Sequence, residues 1–462
     1  MNKVIMIMGC LMFLSSCAVE SLHHVFDVEK KFPRKYAGSI LSAPESQLHW
    51  QDSFPSKKLQ KDIVRLSSGN HEMEAAMARV KQAVAGHNIS HSSLLPSIDA
   101  GANFSRSKIS NNTGENRYGT GNIFSFAGIM NWEPDVWGKL RTKEKASALN
   151  VREKEALADR KLMDLRNLLV RSWITFHASK RLEKLLEEQQ KTNIRFLDLT
   201  RMYFEQGQGS ALDIMQQQGR LIATEKALPE IFLKKQRAAS TYAVLMGYFP
   251  DGEEPAYEEL PSINKLPRIS TPDELFRNRP DLKACFMALQ AADYNLAASV
   301  AERLPRLSLG ISYDKSRAGF SSVETETVLS LTGGLLAPLF DAGRLKAKMN
   351  QRKAEAEESL AILEQAVLEA VREVQDAIAC EASLFERQNI LGREKSNAVR
   401  TLENAKQLYI NGKGLYLSVL SSLIDLQNIE IQEIELQEEL LINRCNLLSA
   451  LGVKWSNENE KY

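Results

Sequence analysis

The stretch NWEPDVWGKLR at residues 131–141 returns in altered form at residues 337–347, which read APLFDAGRLKA. Each copy runs from a proline through an aspartate to a glycine, a basic residue, a leucine and a second basic residue. Gly138 and Gly343 lie 205 positions apart, and the same offset pairs Gly247 with Gly452 much further along the chain. A fixed offset of this kind indicates an internal duplication.

The duplication extends upstream of these motifs with a slightly different offset. Leu95-Pro96 matches Leu304-Pro305 at an offset of 209, so the second copy is four residues shorter between the two points. We therefore predict a first repeat over residues 59–247 and a second over 272–452. The intervening residues 248–271 are rich in proline and acidic residues, which is typical of an irregular connector.

Between its Leu-Pro pair and its glycine, each repeat has the two-residue period of a β-strand. This period predicts a hairpin over about residues 96–132 and another over about 305–336, with one apolar face on every strand. Such strands suit an outer-membrane barrel, but four are too few to close one, and an open sheet edge is not tolerated in lipid. Chains must therefore associate, giving eight strands in a dimer or twelve in a trimer.

Long helices are predicted after each hairpin. Residues 138–206 contain no proline and no internal glycine. Residues 344–411 are the corresponding helical segment of the second copy. At 1.5 Å per residue each helix is roughly 100 Å long, which suits a coiled-coil tube or stalk. In the first copy, apolar residues recur at steps of three and four: Leu162, Leu165, Leu169, Trp173 and Phe176.

The returning helix of each repeat is predicted to be about 38 residues long, half the length of its partner. Another element must cover the remaining half. The helices that precede the two hairpins, starting near Asn70 and near Pro280, are the candidates to stack end to end with the returning helices.

Composition and motifs argue against several classes of function. The formal charge is +1, from 59 basic and 58 acidic residues, without a basic stripe of the kind that binds nucleic acid. We find neither a glycine-rich phosphate loop nor a catalytic constellation, so we expect no enzyme and no cofactor. His71 begins a HEMEA motif without the second histidine of a zinc protease, and His87 with His91 lacks a third ligand nearby, so no metal site is predicted.

The N-terminus has the features of a targeting segment. Residues 1–16 are predicted to be a signal peptide, with Lys3 before a short apolar run that ends in Leu14-Ser15-Ser16-Cys17. This ending resembles the lipobox of bacterial lipoproteins, in which the thiol of the cysteine is acylated, with palmitate for example. Residues 17–58 would then be a lipid-anchored N-terminal segment, the alternative being an ordinary signal peptide with an incidental cysteine. The other cysteines of the mature chain are expected to be small buried side chains: Cys285, Cys380 and Cys445.

Together these segments resemble the TolC-like outer membrane efflux proteins, and specifically their lipoprotein branch, the NodT-like proteins. The resemblance rests on LLPSIDAGANFS and RLPRLSL at the strand starts, the two strand-to-helix motifs, RNRPDLKACFMALQAADYNLAASVAERLP and the glycine-containing turns. It implies a mainly α protein with membrane β: a homotrimer with a twelve-stranded β-barrel in the outer membrane of a Gram-negative bacterium. Long coiled-coil helices would continue as a periplasmic α-barrel, with the connector 248–271 in an equatorial belt joined by the C-terminal tail 453–462.

The resemblance also implies a function. Such proteins are passive exit ducts that conduct small molecules, drugs among them, from an inner-membrane pump and a periplasmic adaptor to the exterior. The lipoprotein branch mostly works with proton-driven multidrug efflux pumps. Two alternatives remain: the outer-membrane channel of a type I protein secretion system, and a lipid-anchored coiled-coil structural protein without a pore. The four amphipathic strands argue against the last, because a stalk has no use for them.

In this family the turns between the long helices lie at the periplasmic tip, where the helices close the duct. A tight turn between helices favours residues that tolerate positive φ. The matching turn residues here are Gly207, Gly209, Gly412 and Gly414, and the strand-to-helix junctions contain Pro134, Gly138, Pro338 and Gly343.

Several tip residues depart from the family pattern. Some members carry two aspartates, three residues apart, after the second turn, whereas this chain has Ser418 and Ser421, which weakens any claim of an acidic constriction. Tyr409 matches a tyrosine that helps to hold the closed state. Gly414, however, replaces the arginine expected near the turn, and ordinary packing between helices is the other interpretation of Tyr409.

Asp213 occupies the position of the first repeat that matches Ser418, and is a further candidate for the closing end. Ser210 precedes it by three residues, which is the spacing of a helix N-cap followed by an acidic residue in the first turn. Capping of the returning helix is therefore the alternative role of Asp213.

Overall fold

The computed structural model of the chain describes residues 50–109, 119–252, 254–255, 257–263, 272–319, 323–453 and 455. The predicted signal peptide, Cys17 and the following residues up to 49 lie outside this part, as do sections of the connector and of the C-terminal tail.

The described helices and strands occur in an order that is written twice. The first half contains α1 (Trp50–Ser53), α2 (Lys57–Gly69), α3 (His71–Ser92), β1 (Ser97–Ile109), β2 (Gly119–Trp132), α4 (Lys139–Glu205) and α5 (Ala211–Leu245). The second half contains α6 (Pro272–Asn278), α7 (Pro280–Ala301), β3 (Arg306–Gly319), β4 (Val323–Leu336), α8 (Arg344–Ile410) and α9 (Tyr416–Ala450).

Three pairs of corresponding helices have equal lengths. The long helices α4 and α8 have 67 residues each, the returning helices α5 and α9 have 35 each, and α3 and α7 have 22 each. The returning helices are thus slightly shorter than expected, and α2 and α6 were not foreseen. Equal lengths at equivalent positions agree with the predicted duplication.

The four strands form one antiparallel sheet in the order β1-β2-β3-β4, with β1 and β4 at its edges. Their register aligns apolar residues across all four strands, as in the row Ile98, Met130, Ile311 and Leu331. Ile98 is 77% exposed and Leu331 79% exposed, so this face is uncovered in a single chain. We call it the apolar face; it contains Ile98, Ala100, Ala102, Phe104, Phe124, Phe126, Met130, Trp132, Leu309, Ile311, Tyr313, Leu329 and Leu331.

The opposite face of the sheet, which we call the polar face, is formed by the alternate residues. It contains Asp99, Asn103, Ser125, Asn131, Ser312, Asp314, Ser316, Glu326, Ser330 and Thr332. The predicted alternation of apolar and polar residues is therefore confirmed at most strand positions. The exceptions include Ile129 and Val328 on the polar face and Lys315 and Arg317 on the apolar face.

Each of the two Pro-to-Gly motifs connects a hairpin to the long helix that follows it. Asp135 accepts hydrogen bonds from the backbone N–H groups of Leu140 (2.9 Å) and Arg141 (2.8 Å), which caps the start of α4. Asp341 accepts from Leu345 N (2.9 Å) and caps α8 in the same way, although it lies closer to its helix. The glycine between aspartate and helix has a positive φ in both copies, +74° at Gly138 and +84° at Gly343.

Pro134 directly precedes Asp135, and Pro338 lies three residues before Asp341. Both prolines are outside the helices and the strands. The two junctions differ in their surroundings. Trp137 donates its indole N–H to the carbonyl oxygen of Pro305 at 2.6 Å, which ties the first junction to the start of the second hairpin. In the second junction, Leu339 and Phe340 are almost fully exposed.

The chain divides into two compact units. In the described part, one unit consists of Met77–Ala156 and Leu282–Ala366 and contains the sheet. The other consists of residues 50–76, Leu157–Asp281 and 367–455, and is helical. Each unit takes segments from both repeats. The predicted stripe of α4 is buried within the helical unit: Leu162, Leu165, Leu169, Trp173 and Phe176.

The end of α5 meets the start of α3 directly. The side chain of Asn70 donates a hydrogen bond to the carbonyl oxygen of Leu245 at 2.8 Å and also caps α3. A Cβ atom on Gly247 would lie 2.2 Å from the carbonyl oxygen of Gly69, so only glycine permits this approach. The predicted end-to-end arrangement is confirmed in the first repeat.

The second repeat makes the equivalent junction between α9 and α7. Arg279, which is 2% exposed, donates to the carbonyl oxygen of Ala450 at 3.2 Å. A Cβ atom on Gly452 would lie 2.8 Å from the carbonyl carbon of Asn278. In both repeats, a glycine and a polar side chain therefore form the contact between the end of the returning helix and the start of the helix that precedes the hairpin.

Part of the connector is held against α4 by a buried histidine. The backbone N–H of Glu258, in the connector, donates to His177 Nδ1 at 3.2 Å. The centroid of the His177 ring lies 5.7 Å from that of Tyr257 and 4.5 Å from that of Trp173. Burial, assisted by Lys58, lowers the pKa of His177 to about 4. The imidazole is therefore neutral at physiological pH and accepts the hydrogen bond.

The cysteines differ from the expectation of three buried side chains. Cys445 is buried, Cys285 is half-buried and Cys380 is exposed. Successive side chains on a helix point about 100° apart, so Cys380 faces outward while the next residue, Glu381, is fully buried against Arg444. None of the described helices combines the length and the apolar character needed to cross a bilayer.

Candidate functional site at the turns between the long helices

A short turn joins each long helix to its returning helix, at residues 206–210 in the first repeat and 411–415 in the second. Gly207 has φ of +74° and Gly412 has φ of +69°, which other residues adopt only with strain. The N–H groups of both glycines donate to carbonyl oxygens in the last turn of the preceding helix, at 2.9 Å and 3.0 Å. These two positions fit the expectation for a tight helix terminus.

The second glycine of each turn is required for a different reason. Gly209 and Gly414 do not have positive φ, so the expectation that all four turn glycines need it was wrong. A Cβ atom on Gly414 would lie 3.0 Å from Leu408 Cβ and 3.1 Å from Tyr409 N, and one on Gly209 would lie 3.3 Å from Phe204 N. The chain folds back so closely over the helix end that it leaves little room for a side chain.

Three tyrosines meet immediately beside these turns. The ring of Tyr409, on α8, makes T-shaped contacts with Tyr203 of α4 at 5.6 Å and with Tyr416 of α9 at 5.9 Å between centroids. They border a cavity of about 140 Å³. Its lining comes from three helices and is almost entirely apolar: Phe196, Leu199, Thr200, Tyr203, Lys406, Tyr409, Ile410, Tyr416 and Val419.

Burial raises the pKa of both Tyr409 and Tyr416. For Tyr409 the nearby Tyr203 and Asp213 add to the increase. The hydroxyl groups therefore stay neutral at physiological pH. The hydroxyl of Tyr416 donates to Gln217 Oε1 of α5 at 3.1 Å, which links the two helical hairpins of the chain.

A chain of buried amides continues from Tyr416. Gln217 Nε2 donates to the carbonyl oxygen of Asn193 at 3.0 Å, and Gln427 Nε2 donates to Asn193 Oδ1 at 3.2 Å. Arg220 donates to Gln427 Oε1 through Nε (2.9 Å) and Nη2 (2.7 Å), and burial lowers its pKa. Because buried amides without partners are costly, this network favours one alignment of α4, α5 and α9.

Asp213 takes part in a capping box. Its carboxylate accepts from Ser210 N at 2.9 Å, while its own N–H donates to Ser210 Oγ at 3.2 Å. The capping interpretation of Asp213 is thus confirmed by the geometry. Because the bond from Ser210 N engages its carboxylate, Asp213 is less available than a free acid at this end.

Ser418 and Ser421 lie exposed on the first turns of α9. The hydroxyl of Ser421 donates to the carbonyl oxygen of Ser418 at 3.3 Å, within the same helix. Asp425 is also exposed and follows Ser421 by four residues, so it lies on the same helix face. An exposed carboxylate therefore lies on α9 about one turn beyond Ser421.

A carboxylate lies beside His87 and His91, which the sequence places four residues apart. Glu144 Oε1 lies 3.6 Å from His87 Nε2 and 3.8 Å from His91 Nδ1, so a third polar group does lie near the pair. His87 also contacts the hydroxyl of Ser147 at 3.1 Å. These residues form ion pairs when the histidines are protonated. In the described part, no group of three or more histidine, cysteine or acidic residues is arranged to hold a metal ion.

Sequence reasoning identified the turns and Tyr409 but missed the residues around them. Tyr203, Tyr416, Asn193, Gln217 and Gln427 complete the site. Their signal in the sequence is weak: each is an aromatic or amide residue on a helix face that is otherwise apolar. Which of them meet depends on the relative register of helices more than 180 residues apart.

Comparisons with known proteins agree with this fold. The chain is 28% identical to the pyoverdine export outer membrane protein OpmQ of Pseudomonas putida, over 89% of both chains. It is 25% identical to nodulation protein T of Rhizobium leguminosarum, over 89% of this chain and 85% of that protein. It superposes on the outer-membrane channel OprN with a TM-score of 0.83 at 23% identity, covering 92% of this chain and 95% of that one.

The family model of outer membrane efflux proteins matches residues 63–247 and 271–453. These two segments make up most of the chain. The protein therefore belongs to the outer membrane efflux protein family. Nodulation protein T is among its relatives.

Proposed function

We propose that three copies of this chain form a passive exit duct in the outer membrane, through which small molecules leave the cell. The observation that carries the proposal is the sheet: four strands with open edges and one uncovered apolar face. Neither edge nor face is stable in isolation, because lipid cannot satisfy a free edge. Association of three sheets into a twelve-stranded barrel pairs every edge and places the apolar faces against lipid.

Small molecules are the cargo that the relatives support best. OpmQ is named for the export of pyoverdine, a small molecule, and it aligns over most of this chain. A duct with no energy source of its own needs a pump in the inner membrane and an adaptor in the periplasm. We propose a proton-driven pump, and protein secretion of the type I class remains the alternative cargo.

The turns between the long helices are proposed to form the closed periplasmic end. Tyr409 would hold the two helical hairpins together through Tyr203 and Tyr416, and opening would separate these rings. Asp213 would act at this end mainly as the cap of α5. Ser418, Ser421 and Asp425 would border the opening on α9.

The proposed function is tested by transport in cells. Deletion of the gene should raise the accumulation of a panel of dyes and antibiotics, and expression of the chain from a plasmid should reverse this increase. Unchanged accumulation, together with loss of a protein from the growth medium, would instead support protein secretion. Purified protein that runs as a monomer without boiling would contradict the trimer.

Lipid anchoring at Cys17 is a separate proposal, since that residue lies outside the described part of the chain. Cells labelled with radioactive palmitate should yield a labelled protein, and Cys17→Ser should abolish the label. Cys380→Ser is the matched control because it removes an exposed cysteine from the helical unit. A labelled Cys17→Ser variant would show that the acyl chain is attached elsewhere.

A further inference from the structure

The charged residues of the sheet separate by sign between its two faces. Among the strand side chains that the structure describes, Arg106, Lys315 and Arg317 lie on the apolar face, and no acidic residue lies there. Among the same described side chains, the acidic residues Asp99, Asp314 and Glu326 lie on the polar face. The one cation described on that face is Arg306, at the first position of β3.

The three cations cluster near the hairpin tips of the apolar face. Arg317 lies opposite Phe124 in the strand register, and Lys315 lies opposite Phe126. On the other side of β2, Phe124 pairs with Phe104, with 5.4 Å between ring centroids, and Arg106 follows Phe104 by two residues. The cations are exposed, and their side chains are close enough to reach a common ligand across three adjacent strands.

Their depth in the membrane follows from the strand geometry. From the row of Trp132 and Leu309 to the row of Phe124 and Arg317 is eight residues, or roughly 26 Å along the strands. A strand tilt near 40° reduces this to roughly 20 Å, close to the height of the apolar band of such a barrel. The cations therefore lie at one boundary of the band, where long basic side chains can extend to lipid headgroups.

We propose that Arg106, Lys315 and Arg317 form a binding site for the phosphate groups of lipid A, the phosphorylated glycolipid of the outer leaflet. The inference rests on the proposed function, which places the helices in the periplasm and hence the hairpin tips at the outer surface. A patch of three cations without an acid is complementary to an anionic headgroup, and arginine can hold a phosphate with two hydrogen bonds. The neighbouring phenylalanines contact the start of the acyl chains.

All three cations come from strands of one chain, β1 and β3, so each protomer carries a complete site. Lys315 and Arg317 lie on the central strand β3, whereas Arg106 lies on the edge strand β1, which would pair with a neighbouring chain in the barrel. A trimer would thus bind three lipid A molecules, one per protomer. Such binding orders the lipid next to the barrel and fixes the depth of the sheet in the membrane.

The test measures lipid binding to the full-length, detergent-purified protein by native mass spectrometry. Diphosphoryl lipid A, lipid A without phosphate and phosphatidylglycerol are titrated separately. The test variant is K315Q/R317Q, and the matched control R303Q/R306Q also removes two cations, one of them from the polar face. Removal of two of the protein cations that face the anionic headgroup should weaken the binding of diphosphoryl lipid A about 30-fold. The control and the charge-conserving variant K315R/R317K should bind as the wild type does.

Equal affinity of the wild type and K315Q/R317Q for diphosphoryl lipid A would overturn the proposal, as would equal weakening by the control. Tighter or equal binding of phosphatidylglycerol would overturn the assignment to lipid A. Each variant is first checked for a heat-stable trimer and for export of dyes. A wild-type protein that exports dyes but binds lipid A no better than its variant refutes this inference alone, whereas failure of the wild type to export refutes the proposed function.

Discussion

Tyr409→Ala offers the sharpest test of the proposed closure at the periplasmic end. The substitution removes a half-buried ring that contacts Tyr203 and Tyr416 in T-shaped geometry. Each aromatic pair contributes about 0.5–1.5 kcal/mol beyond the area it buries. Loss of both pairs, together with part of the burial of the ring, should disfavour the closed arrangement by about 2–4 kcal/mol per protomer.

This change is large enough to alter the population of closed channels. A destabilisation of 2 kcal/mol corresponds to roughly a 30-fold shift between two states in each protomer. Purified Tyr409→Ala protein in planar bilayers should therefore show higher single-channel conductance than the wild type. Cells that express it should become more sensitive to vancomycin, which is too large to enter through a closed duct.

Tyr409→Phe is the matched control, because the ring contacts carry the argument and the hydroxyl does not. Conductance and vancomycin sensitivity of this variant should match those of the wild type. Thermal stability of the trimer is measured in parallel. If Tyr409→Ala lowers the melting temperature but leaves conductance unchanged, the tyrosine only packs between helices and the proposed role in closure is refuted.

Three further predictions concern the helical scaffold. As pH falls from about 6.5 towards 4, the unfolded chain binds a proton at His177 that the folded chain does not. The free energy of unfolding should therefore fall by at most about 3 kcal/mol. His177→Gln should flatten this part of the profile of melting temperature against pH. Gly452→Ala should destabilise the fold by about 2 kcal/mol or more in chemical denaturation, because φ of +67° and the close Asn278 backbone both oppose a Cβ atom. Gly138→Ala, with φ of +74° but no neighbour within 4 Å, should cost less, and an equal cost would refute the argument from close approach. Ser210→Ala should cost about 1 kcal/mol by removing one bond of the capping box, and an unchanged midpoint would show that water replaces it.

Most of the secondary structure could be predicted because it is encoded locally. The absence of proline and glycine from residues 139–205 and the step of three and four residues define α4 without any knowledge of its neighbours. The duplication then transfers each prediction from one repeat to the other. The short helices α2 and α6 escaped prediction. The seven residues of α6 give little periodic signal, whereas in α2 the buried residues Leu59, Ile63 and Leu66 do recur at steps of four and three and could have revealed the helix.

Predictions for single residues were less uniform. The capping role of Asp213 followed from its distance to Ser210, which is a contact within one turn of helix. Burial of Cys380 was predicted wrongly, because the apolar character of a residue does not fix the direction in which its helix face points. The carboxylate near His87 and His91 was missed because Glu144 is more than fifty residues away in the chain.

The amino-acid sequence by itself thus determined the two repeats, the long helices, the alternation of the strands and the membership of the efflux family. These features depend on periodic patterns and on residues close together in the chain. Only the tertiary structure decided which side chains meet: the three tyrosines at the turns, the amides that join α4, α5 and α9, and the phenylalanines and arginines of the sheet. The physical reason is register, because a shift of one residue in a strand or one turn in a helix would replace these partners without altering either periodicity.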